Sequence, residues 1–488
     1  MQSETINLKK DLKKITGMLK TEALLALDFN DALVFSKILG RLHFDNISDL
    51  FCDDEFERKI YDKWHNSLIS TLQKETNFKN KGNWCHIISR TYAIGGHTRL
   101  FNELWKGIGD RQIEQSIIIT DKDKGKFSSK NRSQVSVLSG NLAKRSATIY
   151  EKACGHDVVL LHIHPDDIGA ALAARKLQSE GTTVLFVNHS DHTFSFGTGA
   201  SDGVLEISAT GWKITEGFRE AKSQNFIGIP FVPSNDITVG CNLNRSGPIL
   251  SVGGSTKFCP MGDLNFANFL GLLMDLVPNE VVLIGPNPKD PWWRSLLDKY
   301  PTRISIMGLQ DPKNVKIEYQ RAACYVDSFP FDGGTVFSEA IMSGLPCFGL
   351  NKSSASGISP ADSLRCEDIQ ELTEEVAKYL NQGIYKKQID AVRENIKKNF
   401  TTEAVVEKVL QASVGKGVPL PTYLSDLETR GVEHFSIVKN DISEIVISKN
   451  SWNKLSFRSR IRMLNSIRGM HLSPQSARLL KRRIIFGL

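Results

Sequence analysis

Between residues 84 and 350, short apolar runs alternate with segments of helical composition, and they do so in two blocks. The first block contains Cys85–Ile88, Ser116–Thr120, Val135–Leu138, Val158–Ile163, Thr183–Val187, Val204–Ile207 and Phe226–Ile229, with helix-like intervals such as Ala143–Ala153 and Ile168–Ser179. Strands alternating with helices imply a parallel sheet with crossovers. The Pro-bearing stretch Gly228–Asn235 interrupts the pattern as a linker would. It restarts at Pro248–Val252, a helix-like Leu264–Leu276, Glu280–Ile284, Arg303–Met307, Ala323–Val326 and Pro346–Leu350. The predicted class is therefore α/β, with two Rossmann-like lobes facing a cleft. The expected boundaries are a helical extension over 1–80, a first lobe over 81–235, a second over 236–412, and a mixed segment with a basic tail over 413–488. In open α/β sheets ligands bind beyond the carboxyl ends of the strands, so chemistry is sought there.

Composition narrows the setting. With 41% hydrophobic residues the 488-residue chain can fill two cores, and it has no run of the roughly 18–20 apolar residues that a membrane-spanning helix needs. Lys9, Lys10, Lys13, Lys14 and Lys20 arrive without an apolar run, so no secretory leader is expected. Eight cysteines without a CxxC pair suit a cytoplasmic protein with neither a disulfide framework nor a zinc site. Of the 61 Lys and Arg residues, nine fall in 451–488, which has no acidic residue, leaving a net −2 over the first 450 positions. A generally basic nucleic-acid-binding surface is therefore not implied, and no nucleic-acid partner is expected.

The richest segment is Tyr325–Leu350. A strand ends at Asp327, a Gly333-Gly334-Thr335 turn opens a helix, Glu339 lies one turn in, and Gly344-Leu-Pro346 ends it. Glycines there let backbone N–H groups approach an anion at a helix N-terminus, and the acidic residue is placed to accept from a ribose diol. A plain strand–turn–helix with a surface glutamate reads the same way. After the block's first strand, Gly253-Gly254-Ser255-Thr256-Lys257 offers small residues for a phosphate approach and an ammonium to offset its charge, although it is not GxGxxG.

This second block resembles the donor lobe of GT-B glycosyltransferases. The run D-x-F-P-x-x-G-G-T-x-x-x-E-A-x-x-x-G-L-P, from Asp327 to Pro346, is similar to the corresponding stretch of bacterial members and of the O-GlcNAc transferase group. The resemblance implies that Glu339 holds the nucleotide ribose, that Gly333, Gly334 and Thr335 hold phosphate, and that Lys257, with Gly254 and Ser255 beside it, meets the pyrophosphate. It also implies that Gly95-Gly96, after the first lobe's first strand, faces the donor, with His97 near the reacting groups and Arg99 toward phosphate or an acidic acceptor. The chain departs from the retaining pattern of two glutamates eight apart, because position 331 is Phe. Inversion and retention both stay open.

Two further clusters end consecutive strands, Leu161-His-Ile-His-Pro-Asp-Asp167 and Val187-Asn-His-Ser-Asp-His192. Parallel strands would bring His164, Asp166, His189, Asp191 and His192 to one rim. A carboxylate beside an imidazole is the pair that deprotonates a sugar hydroxyl. Alternation puts His162 and His164 on one face, so one of them is a candidate for simple packing. The candidate base is Asp191 or His192, with His97, Asp166 and His164 in reserve. No divalent ion is expected to be needed, since helix dipole and Lys257 replace it.

The expected activity is transfer of a sugar from a nucleotide-activated donor to a glycan or lipid-linked acceptor, in bacterial surface polysaccharide synthesis. A metal-dependent hydrolase on the His/Asp cluster, a sugar-nucleotide epimerase and a non-catalytic partner of an assembly complex are the alternatives. In the tail, Phe457, Ile461, Leu464 and Ile467 recur at helical spacing with Lys454, Arg458 and Arg462 roughly opposite. Such a helix either lies on an anionic membrane surface, at the inner face of the cytoplasmic membrane, or packs on the body.

Overall fold

The computed structural model describes residues 2–45, 50–69, 82–91, 96–123, 134–231, 244–351, 357–385, 389–425 and 461. Three helices come first: α1 (Gln2–Leu25), α2 (Phe29–Asp45) and α3 (Asp54–Ile69). The first alternation follows as β1 (Trp84–Thr91), α4 (Gly96–Gly109), β2 (Gln115–Asp123), β3 (Val135–Val137), α5 (Leu142–Ala153), β4 (Val158–His162), α6 (Ile168–Ser179), β5 (Thr183–Asn188), β6 (Gly203–Glu206), α7 (Ala209–Phe218) and β7 (Gln224–Phe226). The second runs β8 (Ile249–Val252), α8 (Phe266–Leu276), β9 (Val281–Ile284), α9 (Arg294–Lys299), β10 (Ile304–Ile306), α10 (Pro312–Arg321), β11 (Cys324–Val326), α11 (Thr335–Met342) and β12 (Cys347–Phe348). Helices α12 (Ile369–Gln382), α13 (Ile389–Asn399), α14 (Thr402–Ser413) and α15 (Thr422–Ser425) close the described chain.

Both sheets are wholly parallel, ordered β3-β2-β1-β4-β5-β6-β7 and β10-β9-β8-β11-β12. In each, the order reverses beside the first strand, between β1 and β4 and again between β8 and β11. These are the switch points where an open α/β sheet leaves a crevice at its carboxyl edge. The last expected strand of the first lobe is displaced. Strand β7 stops at Phe226 because the amides of Ile227 and Gly228 both turn back to the Glu206 carbonyl, with Gly228 at φ +74°.

Helices α1–α3 share the first lobe's core. Leu19, Phe35, Leu39 and Phe56 pack in one buried cluster with Val159, Leu161, Phe186 and Phe196. Polar contacts reinforce the seam: Asp54 pairs with Arg175, and the buried Glu57 accepts from the Gly197 amide at 3.1 Å. Lys37 of α2 lies 3.5 Å from Asp166.

Helix α14 crosses back to the first lobe. Thr401 caps it, accepting from the Ala404 amide at 3.2 Å, which also separates it from α13. Val405, Val406 and Val409 are fully buried against Leu100, Leu104 and Leu205. Each contributes roughly 1.5–3 kcal/mol by burial, enough together to hold the helix in place. The outgoing and returning segments are bound to one another: the Phe231 amide donates to the Phe400 carbonyl at 2.7 Å, and Lys408 Nζ donates to the carbonyls of Ile227 at 3.2 Å and Asn399 at 2.9 Å. Burial pulls the Lys408 ammonium down to about 8. The linker residues 232–243 and the basic tail over 451–488, apart from Ile461, lie outside the described residues.

The α4–α14 contact is close enough to depend on a glycine. A Cβ on Gly107 would stand 2.7 Å from Val406 Cγ2 and 2.8 Å from Thr402 Cγ2. Gly107→Leu therefore overpacks the seam at a cost of about 1–3 kcal/mol, more than the roughly 1 kcal/mol that a better helix former returns. The urea midpoint of the full chain should fall, and an unchanged midpoint would show that α14 is not seated on α4.

Candidate active site

The loop that follows β8 in the second lobe is held by internal hydrogen bonds. Gly285, at φ +105°, lets the end of β9 come so close to β8 that a Cβ there would lie 2.4 Å from the Gly253 carbonyl oxygen. Ser255 Oγ then accepts from the Asn287 amide at 2.9 Å, tying the loop at Gly254-Ser255 to the next strand's end. Lys257 Nζ donates to the Asp332 carbonyl, beneath the Gly333-Gly334 turn.

Asp327, at the end of β11, organises that turn. Its Oδ1 accepts from the Gly333 amide at 3.0 Å and from the Tyr325 hydroxyl at 2.9 Å, and its Oδ2 from Arg365 at 2.9 Å. Arg365 is almost wholly buried, also donates to Asp362 at 2.7 Å, and lies 4.3 Å above the Phe337 ring. Gly333 has no room for a side chain, since its Cβ would stand 2.4 Å from Asp327 Oδ1. Gly334, at φ +64° and ψ −117°, adopts a backbone that only glycine takes readily, and its amide donates to Asp332 Oδ1 at 3.1 Å. Thr335 opens α11 and Glu339 follows one turn later, with a quarter of its side chain exposed.

Facing it, α4 of the first lobe begins at Gly96; its neighbour Gly95 lies outside the described residues. His97 Nε2 lies 3.1 Å from the His162 carbonyl oxygen, and its ring stacks on His189 with centroids 4.0 Å apart. Burial pulls the His97 imidazole down to about 4, so the ring is neutral at pH 7 and Nε2 is the donor. Arg99, two residues on, donates to Glu339 across the cleft. The two helices that open at the switch points are thus joined near their N-termini, from the first turn of α4 to the second turn of α11.

The strand-end clusters form two separate imidazole–carboxylate dyads. His164 Nδ1 lies 2.8 Å from Asp166 Oδ1, and Arg41 of α2 reaches the other ring nitrogen at 3.5 Å. Burial alone would raise the Asp166 carboxyl, but Lys37 and His164 outweigh it and hold it well below the usual range. His192 Nδ1 lies 3.1 Å from Asp191 Oδ1, with the imidazole half exposed. Burial raises Asp191 too, and His192 together with the Ser208 hydroxyl brings it below the usual carboxylate value. Ser208 donates to Asp191 while capping α7, accepting from the Gly211 amide at 2.9 Å, so this carboxylate also anchors a helix. His97, His164 and His192 all lie near enough to His189 to disfavour a proton there, after burial.

Several of these partners were silent in the sequence. Lys37 and Arg41 come from the helical extension, and Asp327 and Arg365 stand 38 positions apart. The packed member of the His162/His164 pair is His162, fully buried against His86. Among the described residues no group of three or more His, Cys, Asp or Glu side chains is arranged to hold a metal ion, and no helix is long and apolar enough to cross a membrane.

No protein-family model matches the chain, and no curated protein matches it. Solved structures do. The lipopolysaccharide outer core galactosyltransferase WaaB, in its apo form, is similar with a TM-score of 0.51 at 17% identity, covering 68% of this chain and 99% of that one. A mutant O-GlcNAc transferase from Thermobaculum terrenum gives 0.50 at 12% identity over 83% of this chain and 79% of its own. A glycosyltransferase from Rickettsia africae ESF-5 gives 0.50 at 14% over 69% and 99%. At these identities the likeness is one of fold: the chain has the two-lobed GT-B fold.

The buried His86–His162 pair beneath the first lobe's site has a defined tautomer. Gln115 donates its amide to the Trp105 carbonyl at 3.0 Å, so its oxygen accepts from His86 Nε2 at 2.8 Å. His86 Nδ1 is then an acceptor, and His162 Nε2 donates to it at 3.1 Å. Burial pulls His86 down to about 4 and His162 well below its ordinary value. The unfolded chain therefore binds more protons than the folded one below pH 6.5, and this part of the stability is lost as pH falls from 6.5 toward 4. Glu57 and Glu206, raised by burial to about 8 and about 7, act in the opposite sense, so a difference measurement is required. The stability of the wild-type chain minus that of the His86→Phe/His162→Phe double variant should fall by up to about 1.4 kcal/mol per pH unit per histidine in urea titrations over that window. Parallel pH profiles would refute the neutral pair.

Proposed function

We propose that the chain is a glycosyltransferase that moves a sugar from a nucleotide-activated donor to a hydroxyl of a glycan or glycoconjugate acceptor. The observation that carries this reading is the facing of two helix N-termini across the cleft. One has Glu339 one turn in and Lys257 beneath its glycine turn; the other has imidazole–carboxylate dyads beside it. The first arrangement suits a nucleoside diphosphate, with Glu339 accepting from the ribose hydroxyls, and Thr335 and the first amides of α11 donating to phosphate. Lys257, Gly254 and Ser255 line the pyrophosphate side, while Gly333 and Gly334 give the turn the shape that lets phosphate approach.

In the reaction the bond between the anomeric carbon and the phosphate oxygen breaks, and its electron pair stays on the diphosphate. Oriented N–H groups at the helix N-terminus stabilise that growing charge, each such donor being worth on the order of 3 kcal/mol. The acceptor oxygen bonds to the anomeric carbon, and its proton passes to an imidazole held by a carboxylate. His192, exposed and oriented by Asp191, is the first choice of base; His164, oriented by Asp166, is the second. His97 is kept neutral by burial and supplies an acceptor rather than a charge. No metal ion is required in this scheme, because helix dipoles and Lys257 carry the electrostatic load. A lipid-linked acceptor in bacterial surface polysaccharide synthesis, reached from the cytoplasmic side with the tail over 451–488 on an anionic membrane, agrees with the tail's nine basic residues.

The test is nucleotide affinity. Calorimetry with UDP, GDP, ADP and dTDP should identify a binder, and Glu339→Ala should weaken it at least tenfold, as loss of charge-assisted ribose bonds implies. An unchanged affinity would remove Glu339 from the ribose site and the reading with it.

A further inference from the structure

Arg99 and a nucleotide ribose have claims on the same carboxylate. The Arg99 guanidinium, on the first turn of α4, donates to Glu339 Oε1 on the first turns of α11, and the two side chains are 40% and 26% exposed. The pair is thus reachable from solvent and joins the two lobes. A second observation concerns the donors expected to neutralise a diphosphate. The Gly333 amide is bonded to Asp327, the Gly334 amide to the Asp332 carboxylate, and Lys257 to the Asp332 carbonyl. The second lobe therefore commits much of its donor capacity to its own turn, and a cation from the opposite lobe has a role to fill.

We propose that Arg99 is an exchangeable latch. It holds the lobes together through Glu339, yields that carboxylate to the ribose of an arriving nucleotide, and turns onto the diphosphate. The inference rests on the nucleotide-sugar reading above. The move is short: Glu339 is one helical turn from Thr335, about 5–6 Å along the axis, within the sweep of an arginine side chain. The exchange conserves pairing at each stage, since the guanidinium passes from a carboxylate to a phosphate and the carboxylate passes to two hydroxyls. It also makes closure of the cleft around the donor depend on the diphosphate, because only an anion at the helix N-terminus gives the released guanidinium a new partner on the second lobe. Sugar nucleotides are thereby favoured over nucleosides and nucleoside monophosphates.

Two measurements on the full chain separate the latch from the function it serves. Amide hydrogen exchange without nucleotide tests the latch alone. Arg99→Met should speed exchange over 335–340 in the other lobe, and Glu339→Gln should speed it over 96–101. Acceleration confined to each variant's own helix would overturn the latch. Calorimetry then tests the exchange, using UDP, GDP, ADP and dTDP with their nucleosides. In Arg99→Met the affinity of the matching nucleoside should rise, by up to about fivefold, as removal of a part-exposed ion pair allows. The affinity of the diphosphate should fall about tenfold as its charge-assisted contact is lost. Both ligands tightening would leave Arg99 a mere competitor and overturn the transfer to phosphate, and both weakening would overturn the competition. If exchange couples the lobes but no nucleotide binds either protein, the latch stands and the glycosyltransferase reading falls.

Discussion

The carboxylate of Asp327 is the point on which the second lobe's site depends. It ends β11, accepts from Gly333, Tyr325 and Arg365, and so sets where the Gly-Gly-Thr turn leaves the sheet and in what direction α11 begins. Every later feature inherits that direction, including the height of Glu339 above the turn and its meeting with Arg99. A buried carboxylate is costly unless its lone pairs are used, and here three donors use them. Its charge is answered by Arg365, whose own burial is answered by Asp362 and by the Phe337 ring. The loop expected to receive phosphate is held by anions of the protein itself.

In the first lobe the comparable constraint is neutrality. His97, His162 and His189 lie close together at the carboxyl edge of the sheet with His86 beneath them, and burial lowers the proton affinity of each ring. The imidazole–carboxylate dyads, His164 with Asp166 and His192 with Asp191, sit outside this group. The lobe thus grades from an apolar, neutral interior to a polar rim where proton transfer is possible.

Much of this architecture was legible beforehand because its signals are local. Strand runs such as Val158–Ile163 and Glu280–Ile284 announce themselves by composition, and the glycine turn before α11 by residues that few other conformations need. The exception among the strands, Phe226–Ile229, fails for a non-local reason: the Glu206 carbonyl captures two successive amides and draws the chain out of the sheet. Of the site, the residues beside motifs were visible and their partners were not. Arg41 reaches His164 from 123 positions away, Arg99 reaches Glu339 from 240, and His86, within the run Cys85–Ile88, meets His162 from 76. Nor could periodicity tell that α1–α3 share a core with β4 and β5, since an amphipathic helix shows that it needs a partner without showing which.

The return of α14 has a consequence for how the molecule is made. Strands β6 and β7 and helix α4 are buried against side chains near residue 406, so the first lobe is interrupted in sequence by the whole of the second. During synthesis the second lobe emerges, with all its strands, before the first possesses its last helix. The apolar patch formed by Leu100, Leu104 and Leu205 waits for its covering helix through about 200 residues of intervening chain. Domains that complete themselves late are the ones exposed to misassembly on the ribosome. The hydrogen bonds of Lys408, which gather the outgoing and returning segments, form only once the whole of the second lobe has been made.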